Sequence, residues 1–145
     1  MATEVEVQVE VRSFADGDRA ALVALWQRVF ADDPPRNAPE RLIDRKLTVQ
    51  PELLLLAIGG GELVGAVMAG FDGVRGWIHH LAVAPEQRRR GIGRLLVRAA
   101  EEGLRRLGCP KVNLQVRATN SAVVAFYRRL GYDVEERIQM GRVLP

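Results

Sequence analysis

Between Leu53 and Val83 the chain offers three apolar, strand-like runs separated only by turn residues: LLLLAI, Gly59-Gly60-Gly61, LVGAVMAGF, a turn at Asp72-Gly73, and WIHHLAV. Connections this short cannot carry the crossover that a parallel pair requires, so neighbouring runs fold back on one another as an antiparallel meander. Whatever else the sequence encodes has to pack around that meander.

The flanking segments supply the packing layers. Val5, Val7, Val9 and Val11 recur with period two and predict a half-buried strand. Leu22, Leu25, Trp26 and Val29 share one face of a helix that begins with a cap at Asp16. The stretch ADDPPRNAP, residues 31–39, reads as a loop, because Pro34 and Pro35 cannot continue a helix. Asn37, with Glu40 three residues on, resembles a capping box and predicts a short helix through about Leu47. After the meander a long helix carries Ile92, Leu95, Leu96, Ala99, Leu104 and Leu107 on one face and stops at Gly108 and Pro110. KVNLQV predicts a strand, and NSAVVAFYRRLG a helix closed by Gly131. The tail from Tyr132 is expected to add one or two last strands. The order β α α β β β α β α β defines an α/β (α+β) fold with a mixed sheet.

Composition narrows the class. The chain of 145 residues fits one domain, residues 1–145, and 48% hydrophobic with 27% charged residues excludes a disordered or fibrous chain. Lys and Arg total 21 against 18 Asp and Glu, a mixed surface and not a nucleic-acid-binding arm. Cys109, the sole cysteine, excludes an intrachain disulfide and a multi-cysteine metal site, and fits a reducing cytoplasm. The start of the sequence shows no basic leader with an apolar core, and the apolar run Leu53 to Ile58 falls far short of the roughly 20 residues that span a bilayer. The expectation is a soluble cytoplasmic protein with no membrane, metal or nucleic-acid partner.

The segment with most chemistry is PEQRRRGIGRLLVRAA, residues 85–100. Backbone N–H groups at a helix start, glycines at 91 and 93 and the arginines at 88, 89, 90, 94 and 98 suit a polyanion such as phosphate. Taken alone, the pattern equally describes a solvated basic run with a tight turn. A dinucleotide motif would need glycine where Leu96 stands, and a Walker-type loop would need Gly-Lys-Ser/Thr.

Two blocks settle between these readings. Leu81-Ala82-Val83 followed by Arg88-Arg89-Arg90-Gly91-Ile92-Gly93 resembles the signature of the GNAT superfamily of acyl-CoA-dependent N-acetyltransferases. Leu114-Gln115-Val116, Asn120, Phe126-Tyr127 and Leu130-Gly131-Tyr132 are similar to its C-terminal block. Asn37-x-Pro-Glu, the G-x-D-G-x-R-G turn around Asp72 and GCPK at 108–111 further resemble the bacterial YpeA-like branch.

The resemblance implies a mostly antiparallel central sheet flanked by helices, with acetyl-CoA as co-substrate and no metal. It implies transfer of the acetyl group to a primary amine of a small molecule or protein. The alternative is a catalytically silent acyl-CoA-binding sensor or partner domain. By the same resemblance, N–H groups from Arg88 through Arg89, Arg90, Gly91, Ile92 and Gly93 to Arg94 would hold the CoA pyrophosphate. Leu81, Ala82 and Val83 would line the pantetheine arm, with the Leu81 N–H near the thioester oxygen. Asn120 would bind pantetheine, and Tyr127, seven residues on and thus on the same helical face, would protonate the leaving thiolate. A homodimer is common in the family.

An amine acceptor must lose a proton before attack. Strand alternation in Trp77-Ile78-His79-His80-Leu81 puts Trp77, His79 and Leu81 on one side, with Ile78 and His80 on the other. His79 is therefore the expected base, directly or through water, and His80 the residue packed under a helix. Trp77 stands where many family members carry a glutamate. Asp32, Asp33, Arg36, Trp26, Asp72 and Arg75 are the expected walls of the acceptor cleft.

Overall fold

The computed structural model describes residues 8–145, so Val5 and Val7 lie outside the described residues. The chain divides into two compact units, one running to Gln115 and one from Val116. The first holds strands β1 (Val9–Ser13), β2 (Leu54–Gly59), β3 (Glu62–Phe71), β4 (Gly76–Val83) and β5 (Val112–Leu114), with helices α1 (Arg19–Val29), α2 (Pro39–Lys46) and α3 (Ile92–Arg106). The second holds α4 (Ser121–Arg129).

The sheet order is β1-β2-β3-β4-β5. β1 to β4 are antiparallel neighbours and β5 joins β4 in parallel, as the short turns before Gly76 and the long α3 excursion after Val83 require. Gly60 and Gly61 turn the β2–β3 hairpin with positive φ. At the next turn the Asp72 carboxylate accepts the Val74 and Arg75 N–H groups, both at 2.8 Å.

Each face of the sheet has its own partner. Leu54, Leu56, Ala66, Met68 and Ala82 join Leu22, Leu25 and Trp26 of α1 and Ile43 of α2 in one buried cluster. On the other face lies α3, whose Ile92, Leu96, Val97, Ala100 and Leu104 are buried. Gly65 sets how closely α3 can approach, since a Cβ there would stand 3.0 Å from the Ala82 carbonyl oxygen and from Leu96 Cδ1, and 3.1 Å from Ile92 Cγ2.

Helix starts differ from the expected ones in instructive ways. Asp16–Asp18 form a 3-10 turn before α1, and Asp18, not Asp16, takes the capping role by accepting the Ala15 N–H at 2.9 Å. Arg12 grips the same carboxylate through two hydrogen bonds of 2.7 and 2.9 Å and holds it below the usual carboxylate range. Asn37 does not cap α2. It closes a 3-10 turn, Pro35–Asn37, and α2 starts at Pro39, whose fixed φ and missing N–H suit a first helical position.

In the second unit, Asn120 caps α4 by accepting the Val123 N–H at 3.3 Å, and Gly131, at φ 97°, ends it. The expected last strands are not formed: residues 133–145 have no strand, and Val134, Ile138, Met140, Val143 and Leu144 are exposed. Alternating polarity is only half of a strand, since the ladder hydrogen bonds must come from a paired edge.

The tight seam at Gly65 is directly testable. Gly65→Ala should lower stability by about 1–3 kcal/mol through overpacking, read as a fall in denaturant midpoint with an unchanged slope.

Candidate active site

The local event that shapes the site is a β-bulge in β4. Pairing runs from Met68↔His79 to Ala66↔Ala82, so His80 and Leu81 together face the single residue Val67. His80 takes up the extra length in the left-handed region, at φ 52°. Such a bulge breaks alternation and leaves backbone groups outside the ladder. The expected division of the strand fails here: His79 pairs with Met68 of the α1–α2 cluster, and His80, in contact with α1, lies on that same side. His80 does pack beneath a helix, as expected, but not on the opposite face from His79.

His80 is held on three sides. Its Nε2 lies 3.0 Å from Asp33 Oδ2, and its ring meets Phe30 and Trp26 edge-on at centroid distances of 4.7 and 5.6 Å. Both members of the polar pair are mostly shielded, with side-chain exposures of 17% and 19%. They border a pocket of about 360 Å³ whose other walls include Trp26, Phe30, Pro34, Pro35 and Pro39. The proline pair that breaks the chain after α1 thus becomes a wall. Of the expected cleft residues, Asp33 and Trp26 line this pocket, whereas Asp32 is exposed and Asp72 and Arg75 are absent from its lining.

His79 borders a second, shallower depression of about 250 Å³, with Lys46, Gln50, Asp72 and Trp77. It stacks on Trp77 with ring planes 14° apart. Although part of its surface is open, the atoms crowding the depression desolvate the ring, and this, followed by the charges of His80 and Lys46, lowers its pKa below the ordinary 6.5. Lys46 is itself pushed down by burial, and its ammonium donates to the Val49 and Ala69 carbonyls at 2.8 and 2.6 Å. The ring of His79 is therefore neutral at pH 7, as a base must be.

Beyond the bulge, β4 runs through Leu81 and Val83, both half-buried, with Ala82 buried between them. A 3-10 turn at Pro85–Gln87 leads into the arginine loop. Bidentate contacts of 2.8 and 3.3 Å from Arg28 of α1 to Glu86 tie that turn down and pull the Glu86 carboxyl to about 2. Arg89 and Gly91 both have positive φ, 66° and 79°, and Gly91 is the N-cap of α3 with no side chain closing the helix end. The first N–H groups of α3 thus have neither an intrahelical acceptor nor a side-chain cap. Arg88, Arg89, Arg90 and Arg94 are exposed around them, Arg90 bonding Gln87 at 3.2 Å, while the Ile92 side chain is core. A main-chain anion site rimmed by guanidinium groups fits a pyrophosphate.

In the second unit, Tyr127 is 7% exposed, and its ring packs edge-on with Phe126 and Tyr132 at 4.9 and 5.6 Å. Burial pushes its phenol up to about 12. Asn120 is the cap of α4 and not part of the helix proper, so the seven-residue spacing to Tyr127 does not by itself put them on one helical face.

A bulged strand thus feeds an uncapped, arginine-rimmed helix end. Residues 19–132 match the model of the acetyltransferase (GNAT) family, and the chain belongs to that family. It is 42% identical to an acetyltransferase of Pectobacterium atrosepticum over 136 residues, 94% of this chain and 96% of that one. Among solved structures it resembles an aminoglycoside N-acetyltransferase in complex with CoA, with a TM-score of 0.79, 16% identity and coverage of 98% and 99% of the two chains. It also resembles a PaiA N-acetyltransferase of Thermoplasma acidophilum in complex with coenzyme A, at TM-score 0.77 and 22% identity over 90% and 93%. The chemistry of the chain is accordingly acetyl transfer from acetyl-CoA.

His80, Phe30, Lys46 and Gln50 stand at these sites without having been singled out as site residues by the sequence. Only the His-His pair carried a signal, and the alternation rule turned it toward His79.

Two titrations check the electrostatics. By NMR, the His79 ring should titrate below 6.5, and Lys46→Gln should raise its midpoint. Tyr127 binds its proton more tightly folded than unfolded, so its contribution to stability is full below pH 10 and lost as pH rises toward 12. Denaturant melts should show a fall of about 2–3 kcal/mol over that window, absent in Tyr127→Phe.

Proposed function

We propose that the chain transfers the acetyl group of acetyl-CoA directly to a primary amine of a small molecule or protein. The observation that carries this reading is the continuity of β4, bulge, arginine loop and open α3 terminus, which offers one acyl donor both a thioester site and a pyrophosphate site. N–H groups between Arg88 and Arg94 hold the pyrophosphate, while Leu81, Ala82 and Val83 offer main-chain hydrogen bonds to the pantetheine arm. The Leu81 N–H, set beside the bulge, meets the carbonyl oxygen as negative charge develops on it.

The remaining roles follow the family pattern. Tyr127, kept protonated by burial, donates its proton to the departing thiolate, and Asn120 binds the pantetheine through its carboxamide. An imidazole of β4 relieves the acceptor ammonium of its proton. His79, neutral at pH 7, has the required form.

Calorimetric titration with acetyl-CoA and CoA, against NAD and ATP, tests the donor half. Acetyl-CoA and CoA should bind at micromolar concentration and NAD and ATP should not. Gly91→Val, which puts a β-branched residue at φ 79°, should weaken both by tenfold or more. Tyr127→Phe should keep CoA affinity and lose roughly 10- to 1,000-fold in kcat.

A further inference from the structure

His80 combines three features found together nowhere else among the described residues: a left-handed backbone at the bulge, an Asp partner, and a place on the wall of the larger pocket. A non-glycine residue at positive φ costs free energy, so the imbalance points to a use for its side chain. Its neighbour Leu81 is the residue assigned above to the thioester oxygen. The Asp33 carboxylate, 47 residues away in sequence, reaches it from the loop after α1.

We infer that the His80–Asp33 pair is the base for the acceptor, and that the acceptor is a monoamine whose apolar body fills the pocket beside Trp26 and Phe30. The inference rests on the acetyl-transfer reading and adds to it the base and the substrate class. With Nε2–H donating to Asp33, Nδ1 keeps its lone pair. The acceptor ammonium gives one proton to Nδ1. The freed nitrogen pair forms the C–N bond at the thioester carbonyl carbon, the nitrogen gives up its second proton, the C–S bond breaks with its electron pair leaving on the CoA sulfur, and that sulfur takes up one proton in balance. Asp33 stabilises the imidazolium until it returns its proton to solvent.

The pocket sets the substrate class. Its walls are largely aromatic and proline, and the single carboxylate lining it, Asp33, is already engaged by His80. A polycation would need several carboxylates, whereas one amine on an aryl or alkyl body needs only a base and apolar contact. A volume of about 360 Å³ suits a small body.

The test uses the full chain with 2-phenylethylamine, n-hexylamine, spermidine and lysine as acceptors, thiol release as the rate and CoA calorimetry as a separate measure of the donor site. The aryl- and alkylamine should be turned over at least tenfold better in kcat/KM than spermidine or lysine. His80→Asn, which tolerates the left-handed backbone, should lose 100-fold or more in kcat with CoA affinity retained, and imidazole should restore part of the rate to His80→Gly. Asp33→Asn should also lose kcat, and long-range 1H–15N spectra should show the His80 ring leaving the Nε2–H tautomer, a change that loss of packing alone would not make. Wild-type kcat in His80→Asn overturns the inference, whatever His79→Asn does. So does CoA binding without turnover of either apolar amine, or a preference for spermidine. Absence of CoA binding in the unaltered chain would instead overturn the donor reading.

Discussion

Two residues of β4 answering one of β3 is the constraint on which the rest depends. In an unbroken ladder, the alternate N–H groups of β4 that face β3 would all be spent on that strand, and His80 would point away from α1. The bulge removes one unit of register, and with it both consequences: a stretch of backbone leaves the ladder, and two successive imidazoles share a face. The pairing resumes at Ala82, so the strand still delivers the arginine loop to the start of α3. A local cost of about 1–2 kcal/mol at His80 is small beside the burial of the two flanking strands, which holds the strained residue in place.

The two faces of the sheet are built on opposite rules. Toward α3, side chains are withheld: Gly65, Gly76 and Gly103 each sit where a Cβ would meet a neighbour at 3.0 Å or less. That brings the helix close and fixes the position of its open N-terminus relative to the end of β4. Toward α1 and α2, the core is filled by Trp26, Leu22 and Ile43, but the Pro34-Pro35 break prevents the chain from covering the sheet out to His80. The arginine loop therefore stands on the close-packed side of the sheet, and the pocket beside His80 on the side of α1. A catalyst of group transfer needs this asymmetry, because the donor has a fixed polar shape while the acceptor must enter and leave.

How far the sequence revealed this depended on range. The meander, the helix ending at Gly108 and the tight loop before α3 were legible because hairpin turns, helical spacing and Gly-x-Gly are signals within a few residues of each other. Helix starts shifted, since Asp16 competes with Asp18 for the capping role and Ala38, not Asn37, takes the N-cap position before Pro39. The bulge was not legible, for His80 is neither glycine nor asparagine, and period-two alternation assumes that no register slip occurs. Asp33 was visible as an acidic loop residue but not as the partner of His80, because nothing local to either residue encodes a pair 47 positions apart. The expected strands of the tail are absent because a strand needs a paired edge, which no local signal supplies.

The charges obey the same division. A net charge of +3 conceals two different settings: exposed guanidinium groups around an uncapped helix end, and one shielded carboxylate beside His80. At the arginine loop, exposed guanidinium groups are solvated, so each adds little beyond steering, and the oriented N–H groups of α3 supply the fixed field. At His80, the Asp33 carboxylate makes its 3.0 Å contact with the ring while both partners are mostly shielded from solvent. Lys46 works the other way on His79: its ammonium, anchored on two carbonyls, helps keep that ring neutral and discourages a second positive charge beside it. Of the two adjacent imidazoles, one is anchored to a carboxylate and the other faces an ammonium.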